Sequence, residues 1–136
     1  MKTVHIICSI KNLNQDYEHL QWLRMFFLSR DYRLSEDWIN HSLMIRNKKP
    51  YFKSAPNFDY MKVATDSVNS ADMLVFLMSE PSTFTLTMLR YATNAGRKAV
   101  VICRNKSVLR GLDKDCSDLL RIYTLSNYQV KLKAQI

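Results

Sequence analysis

The fold follows from the stretch Ala71-Asp72-Met73-Leu74-Val75-Phe76-Leu77-Met78-Ser79. It holds six consecutive apolar residues bounded by Asp72 and Ser79. A run of this length is typical of a strand that is buried on both faces, because neither face then needs polar residues. The stretch therefore predicts a central strand of a parallel sheet.

Strand-like and helix-like segments alternate on both sides of this strand. The predicted segments are a strand at 3–10, an amphipathic helix from Tyr17 to about Ser29, a short strand at 32–34, a helix from Asn57 or Asp59 to about Ser70, a helix from Thr83 to Ala95 that ends at Gly96, and a strand at 99–103. Such alternation predicts one three-layer, doubly wound α/β domain over residues 1–136, with a mostly parallel sheet of about five strands.

Three further segments have weaker patterns. Ser35-Glu36-Asp37-Trp38 has the capping serine and early acids of a helix start, and residues 48–57 contain the turn formers of an irregular loop. Residues 115–122 are compatible with a helix, and residues 123–132 with either a last strand or a terminal helix.

Composition restricts the class of protein. The chain is 47% hydrophobic and 24% charged, as in an ordinary globular domain. We expect a cytoplasmic location and no membrane contact, because the start lacks a signal-peptide pattern and no apolar run is long enough to span a bilayer. The three cysteines are odd in number and form no CxxC pair, which argues against a disulfide framework and a zinc site, and Cys8 and Cys103 are expected to be buried apolar residues. We expect no metal site and no cofactor.

Polar residues follow the predicted strands at their carboxyl ends. Ser9 lies at the end of the first strand, Ser79 ends the strand at 72–79 and is followed by Glu80, and Arg104 follows the strand at 99–103. In doubly wound folds, ligands bind at this edge of the sheet, near the point where the strand order reverses. Ser9, Ser79 and Ser82 are therefore candidate hydrogen-bonding residues for a ligand.

The segment from Asp59 to Arg104 resembles the second half of the nucleoside 2-deoxyribosyltransferase family. Ser70-Ala71-Asp72 is similar to the family's Ala-Asp element before a buried strand. Residues 88–97 are similar to its helix motif Glu-x-Gly-x-Ala-x-x-x-Gly-Lys: Ala92 and Gly96 fit, whereas Met88 and Arg90 depart from it. The TIR domain is a more distant resemblance, and its glutamate also falls at or next to Met88.

The resemblance implies a flavodoxin-like, deoxyribosyltransferase-like fold and a nucleoside or nucleotide ligand. It also implies that Met88 replaces the carboxylate that attacks the sugar and faces the pocket. A thioether neither attacks a sugar cation nor stabilises its charge well. We therefore expect ligand binding without glycosyl transfer. Asp72 contributes to the ligand site in some family members and is structural in others, and Arg90 is a candidate partner for a phosphate.

Other functions remain open at this stage. Glu80 is a candidate displaced catalytic carboxylate for an active N-glycosidase or transferase. The net charge of +8 is compatible with a nucleic-acid- or protein-binding module, although no nucleic-acid-binding motif is present and this hypothesis ranks behind ligand binding. The basic residues cluster at 46–53, 97–110 and 131–133. A homo-oligomer is a further expectation that comes from the resemblance alone.

Overall fold

The computed structural model describes residues 1–9, 13–35, 60–109 and 118–136. The helix predicted from Ser35 and the irregular loop at 48–57 lie outside these residues. The start of the helix predicted from Asn57 or Asp59 and most of the segment at 115–119 also lie outside the described residues.

The described residues form five strands, four α-helices and a short 3-10 turn. The strands are β1 (Lys2–Ile7), β2 (Tyr32–Leu34), β3 (Met73–Met78), β4 (Ala99–Cys103) and β5 (Leu120–Thr124). The helices are α1 (Leu13–Ser29), α2 (Tyr60–Ser70), α3 (Thr83–Asn94) and α4 (Tyr128–Gln135), and the 3-10 turn is Lys106–Leu109.

All five strands are parallel and form one sheet in the order β2-β1-β3-β4-β5. The predicted α/β class and the predicted number of strands are therefore confirmed. The order reverses direction between β1 and β3: the chain first adds β2 on one side of β1 and then crosses over to build the remaining strands on the other side.

Helices cover both faces of the sheet, which makes three layers. Alternate residues of β3 show this arrangement: Val75 and Leu77 pack in the cluster that contains α1 and α4, whereas Leu74 and Phe76 pack in the cluster that contains α2 and α3. Successive side chains of a strand point to opposite faces, and here both faces are buried. This explains why the sequence of β3 is apolar throughout.

Helix α1 begins earlier than its sequence pattern predicted. The predicted start was Tyr17, but the helix begins at Leu13 and thus places Asp16 in its first turn. Correspondingly, β1 ends at Ile7 rather than at residue 10. Asn12, Asn14 and Asp16 predict a loop from the sequence alone, because asparagine and aspartate are common turn formers, yet an acid is also favourable in the first turn of a helix.

The carboxyl-terminal prediction was partly wrong. Residues 120–122 belong to strand β5 and not to a helix, because they pair in parallel with β4 and extend the sheet. The chain then turns into α4, so the segment at 123–132 contains both the end of a strand and the start of a helix. Short amphipathic pieces at a sheet edge are hard to assign from their pattern alone.

Helix α3 has a capping serine at its amino end, which was not predicted, and the predicted glycine after its carboxyl end. Ser82 caps the amino end, and its side chain accepts a hydrogen bond from the Thr85 amide at 3.3 Å. Gly96 follows the last turn with φ 74°, a left-handed conformation that suits glycine. Among the described residues, no helix has both the length and the apolar character needed to cross a bilayer.

Candidate functional site

The sheet topology brings three chain segments together at its carboxyl edge. β1 and β3 are neighbours, but the chain leaves β1 for α1 on one face and leaves β3 for α3 on the other. A crevice between such diverging connections is the usual ligand site of doubly wound folds. The candidate site is defined here as the carboxyl ends of β1, β3 and β4 with the first turns of α1 and α3.

Two buried serines lie at this edge, as the sequence predicted. Ser9 follows β1 and is 8% exposed, and Ser79 follows β3 and is 2% exposed. The Ser79 hydroxyl donates a hydrogen bond to Oδ1 of Asp16, with the oxygens 2.5 Å apart. The carboxyl end of β3 is therefore joined directly to the first turn of α1.

Asp16 is the residue that the sequence interpretation missed. Its side chain is only 1% exposed, although it carries a carboxyl group. Its Oδ1 is held by Ser79, but no described residue donates a hydrogen bond to its Oδ2. A buried polar atom without a partner is costly, and native structures keep few of them.

Burial raises the pKa of Asp16 above its ordinary value. The hydrogen bond from Ser79 and the positive charges of His19 and Arg104 oppose this rise, whereas the negative charge of Glu80 adds to it. Burial, together with the charge of Asp16, also raises the pKa of the Cys8 thiol to about 12. Cys8 is thus a neutral, buried thiol and a poor nucleophile.

Glu80 lies at the rim of the same site. Its Oε1 accepts a hydrogen bond from Gln15 Nε2 at 3.3 Å and lies 3.7 Å from Nε of Arg104. The side chains of Arg104 and Glu80 are 55% and 47% exposed, so this ion pair contributes little to stability. The ion pair matters for the electrostatics of the site, because it places the charges of Arg104 and Glu80 near buried Asp16.

A second polar pair lies one helical turn beyond Asp16. His19 Nδ1 is 2.8 Å from the hydroxyl of Tyr128, a residue of α4 that is fully buried. Burial raises the pKa of that phenol, so it stays protonated at neutral pH. The two rings meet edge to face with centroids 5.4 Å apart, and Trp22 makes a similar contact with Tyr128. This contact joins α1 to α4 one helical turn beyond Asp16.

The residues of α3 have separate roles. Ser82 is the helix cap described above. Met88 is fully buried in the core cluster between α3 and the sheet, and its predicted place at the ligand pocket stays a prediction. Arg90 is exposed on the surface. Thr85, in the first turn, is fully buried, and no described residue hydrogen-bonds its hydroxyl.

Asp72 lies at the opposite, amino edge of the sheet. Its Oδ2 accepts hydrogen bonds from the Thr3 amide at 2.7 Å and the Thr3 hydroxyl at 3.3 Å, and its own amide donates to that hydroxyl. The Thr3 amide, as the largest cause, lowers the pKa of Asp72. Asp72 therefore ties β1 to the start of β3, and it does not lie with Ser9, Ser79 and Glu80.

A groove of about 500 Å³ runs along the same amino edge. Its charged lining residues are Lys2, Asp72, Lys98, Asp118 and Arg121. The mixture of charges does not select one kind of ligand, and no described residue in the groove has a buried polar atom without a partner. The carboxyl edge therefore remains the better candidate.

The basic surface is only partly described. The cluster at 46–53 lies outside the described residues. In the second cluster, Arg97 donates hydrogen bonds to the carbonyl oxygens of Asn69 and Ala71 and so joins the loop after α3 to the end of α2. Arg104 pairs with Glu80. These two arginines have structural partners, which weakens the case for a continuous phosphate-binding surface.

Comparison of the sequence with protein-family models and with curated proteins finds no match to either. Within the described residues, no group of three or more histidine, cysteine, aspartate or glutamate side chains is arranged to hold a metal ion. The function must therefore be argued from the geometry of the site.

Proposed function

We propose that this chain is a deoxyribosyltransferase-like α/β domain that binds a nucleoside- or nucleotide-type ligand without the glycosyl-transfer chemistry of the family it resembles. The resemblance supplies the ligand class. The five-stranded parallel sheet and the polar carboxyl edge at its switch point support the location.

The observation that carries the loss of chemistry is the burial of Met88. The resemblance implies that this residue stands at the position of the family's catalytic glutamate, and its side chain is fully buried in the core. Cleavage of an N-glycosidic bond builds positive charge on the sugar, and a carboxylate must stabilise or trap that charge. Met88 supplies neither a charge nor access to the sugar.

A product assay tests this proposal. The purified chain is incubated with deoxynucleosides, their 5′-monophosphates and NAD, and free base or nicotinamide is measured by mass spectrometry. Binding of the same compounds is measured in parallel by calorimetry. We expect binding without product, whereas release of base by the wild-type chain would contradict the proposal.

An active enzyme that uses Glu80 is the second candidate function. It is supported by the position of Glu80 at the carboxyl edge, next to buried Asp16. If base is released, Glu80→Gln should abolish the release while the melting temperature is kept. A Glu80→Gln variant that retains the activity would remove Glu80 from the mechanism. The matched control is Glu18→Gln, since Glu18 is exposed on α1.

A further inference from the structure

One buried carboxyl oxygen has no hydrogen-bond partner in the part of the chain that the structure describes. Oδ2 of Asp16 is enclosed with the rest of its side chain, and no described residue donates to it. The neighbouring donors are engaged elsewhere: Gln15 donates to Glu80, Arg104 lies against Glu80, and Ser79 donates to the other oxygen, Oδ1. In native proteins, buried polar groups that lack a hydrogen-bond partner are expected mainly at functional sites.

The second helix of the site has a matching feature. Thr85, in the first turn of α3, has a buried hydroxyl without a partner among the described residues. Asp16 occupies the first turn of α1. Helices α1 and α3, which begin at the carboxyl edge on the two sides of the switch point, therefore each hold near the amino end a buried polar group with no partner among the described residues.

We infer that Asp16 is a ligand-binding residue, and that its Oδ2 accepts a hydrogen bond from a hydroxyl group of a neutral, sugar-bearing ligand. The inference deepens the proposed function, on which it rests for the nucleoside class, by selecting the nucleoside over the nucleotide at this position. Thr85 is the second hydrogen-bonding group of the site, because a threonine hydroxyl can both donate and accept.

The charges of the site select this ligand chemistry. A carboxylate oxygen accepts hydrogen bonds, so its partner must be a donor. A phosphate would meet the negative charges of Asp16 and Glu80, and the cation beside them, Arg104, is already paired with Glu80. Like charges at close range are unfavourable. A divalent cation would need several oxygen ligands, and the described residues supply no such group at this place. A sugar hydroxyl satisfies the oxygen without adding charge.

The variant Asp16→Asn tests the inference sharply. Asparagine has the same shape and keeps a carbonyl oxygen for the Ser79 hydroxyl, but it replaces Oδ2 by an amide donor. Asp66→Asn is the matched control, since Asp66 is exposed on α2. The probes are the four ribonucleosides, their 2′-deoxy and 3′-deoxy forms, their 5′-monophosphates and free ribose, with affinities measured by calorimetry.

We expect a nucleoside to bind the wild-type chain and the Asp66→Asn control equally, and to bind Asp16→Asn about tenfold to a hundredfold more weakly, as for a hydrogen bond to a charged group. Removal of one sugar hydroxyl should weaken binding to the wild type by a similar factor and cause no further loss in Asp16→Asn. Because that ligand series uses the unaltered chain, it remains decisive even if the variant fails to fold.

The other outcomes separate the two proposals. Equal nucleoside affinity of wild type and Asp16→Asn would overturn the role of Asp16 and leave the proposed function standing. If no nucleoside or monophosphate binds but ribose binds in an Asp16-dependent way, the proposed ligand class is wrong and the role of Asp16 stands. If none of the probes binds, both are overturned. Tighter binding of a monophosphate that depends on Asp16 would also overturn the preference for a neutral ligand.

Discussion

The hydroxyl of Ser79 donates a hydrogen bond to Oδ1 of Asp16 across the point where the strand order of the sheet reverses. This contact links the end of β3 to the start of α1 through two residues that lie 63 positions apart in the sequence. It also orients a carboxyl group whose second oxygen no described residue satisfies. The candidate site is built around this pair.

Loss of the Ser79 hydroxyl should destabilise the fold. Ser79→Ala leaves both oxygens of buried Asp16 without a donor among the described residues, and we expect the free energy of unfolding to fall by about 1–3 kcal/mol. Chemical denaturation measures this change. Ser70→Ala is the control, because Ser70 is exposed and its hydroxyl donates to a backbone carbonyl of its own helix. A Ser79→Ala variant as stable as this control would mean that the pair contributes nothing to stability.

Asp16 should make stability fall as pH rises. Its pKa in the folded chain is raised, so the folded state holds its proton more tightly than the unfolded state does. The contribution is therefore favourable below the unfolded pKa of about 3.9 and is lost as pH rises through the folded pKa. Relative to Asp16→Asn, the free energy of unfolding of the wild-type chain should therefore fall as the pH rises from the unfolded pKa to the folded pKa of Asp16. The charges that set the shift besides Asp16 are those of Glu80, His19 and Arg104, and they are common to both chains. A constant difference across pH would contradict the raised pKa.

His5 should produce the opposite trend. It is fully buried in β1, and burial lowers its pKa from 6.5 to about 4. Stability is thus complete above pH 6.5 and declines as pH falls from that value toward pH 4, by about 3 kcal/mol in total. Denaturant unfolding of the wild type and of His5→Leu, compared between pH 7.5 and 4, isolates the contribution of His5 to the free energy of unfolding. A decline of the same size in His5→Leu would show that other groups cause it.

Met88 should not accept a carboxylate. Its side chain packs in the same core cluster as Leu89 and Ala92, so Met88→Glu buries a charge and should lower the free energy of unfolding by about 3 kcal/mol or more. Met88→Leu conserves volume and should cost less than about 1.5 kcal/mol. Denaturation of the two variants gives both values. A stable Met88→Glu chain that releases base from a nucleoside would show that this position opens onto the sugar site after all.

The sequence predicted the sheet well because its strands are buried on both faces. The apolar runs at 73–78 and 99–103 are incompatible with an exposed surface, and Gly96 marks the end of the preceding helix by its backbone conformation. Strand β5 was predicted only in part, with residues 120–122 assigned to a helix, because the strand lies at the edge of the sheet, where partial burial leaves a mixed pattern of polar and apolar residues.

The site could be predicted only in part. Ser9, Ser79 and Glu80 follow from the rule that ligands bind at the carboxyl ends of strands. Asp16 was interpreted as a loop residue, although a signal was available: it lies four residues before Leu20 and seven before Leu23, on the same buried face of α1. An acid that continues an apolar helical face indicates a buried carboxylate, and its partner can be found only once the fold brings β3 beside it.

The most direct test of the account is a map of ligand contacts by nuclear magnetic resonance. Amide resonances of the labelled chain are recorded during titration with a nucleoside. We predict shifts concentrated at Ser9, Asp16, Ser79 and Glu80, with Thr3 unchanged at the opposite edge of the sheet. Shifts concentrated along the amino-edge groove, or no shifts at millimolar nucleoside, would contradict a ligand site at the carboxyl edge.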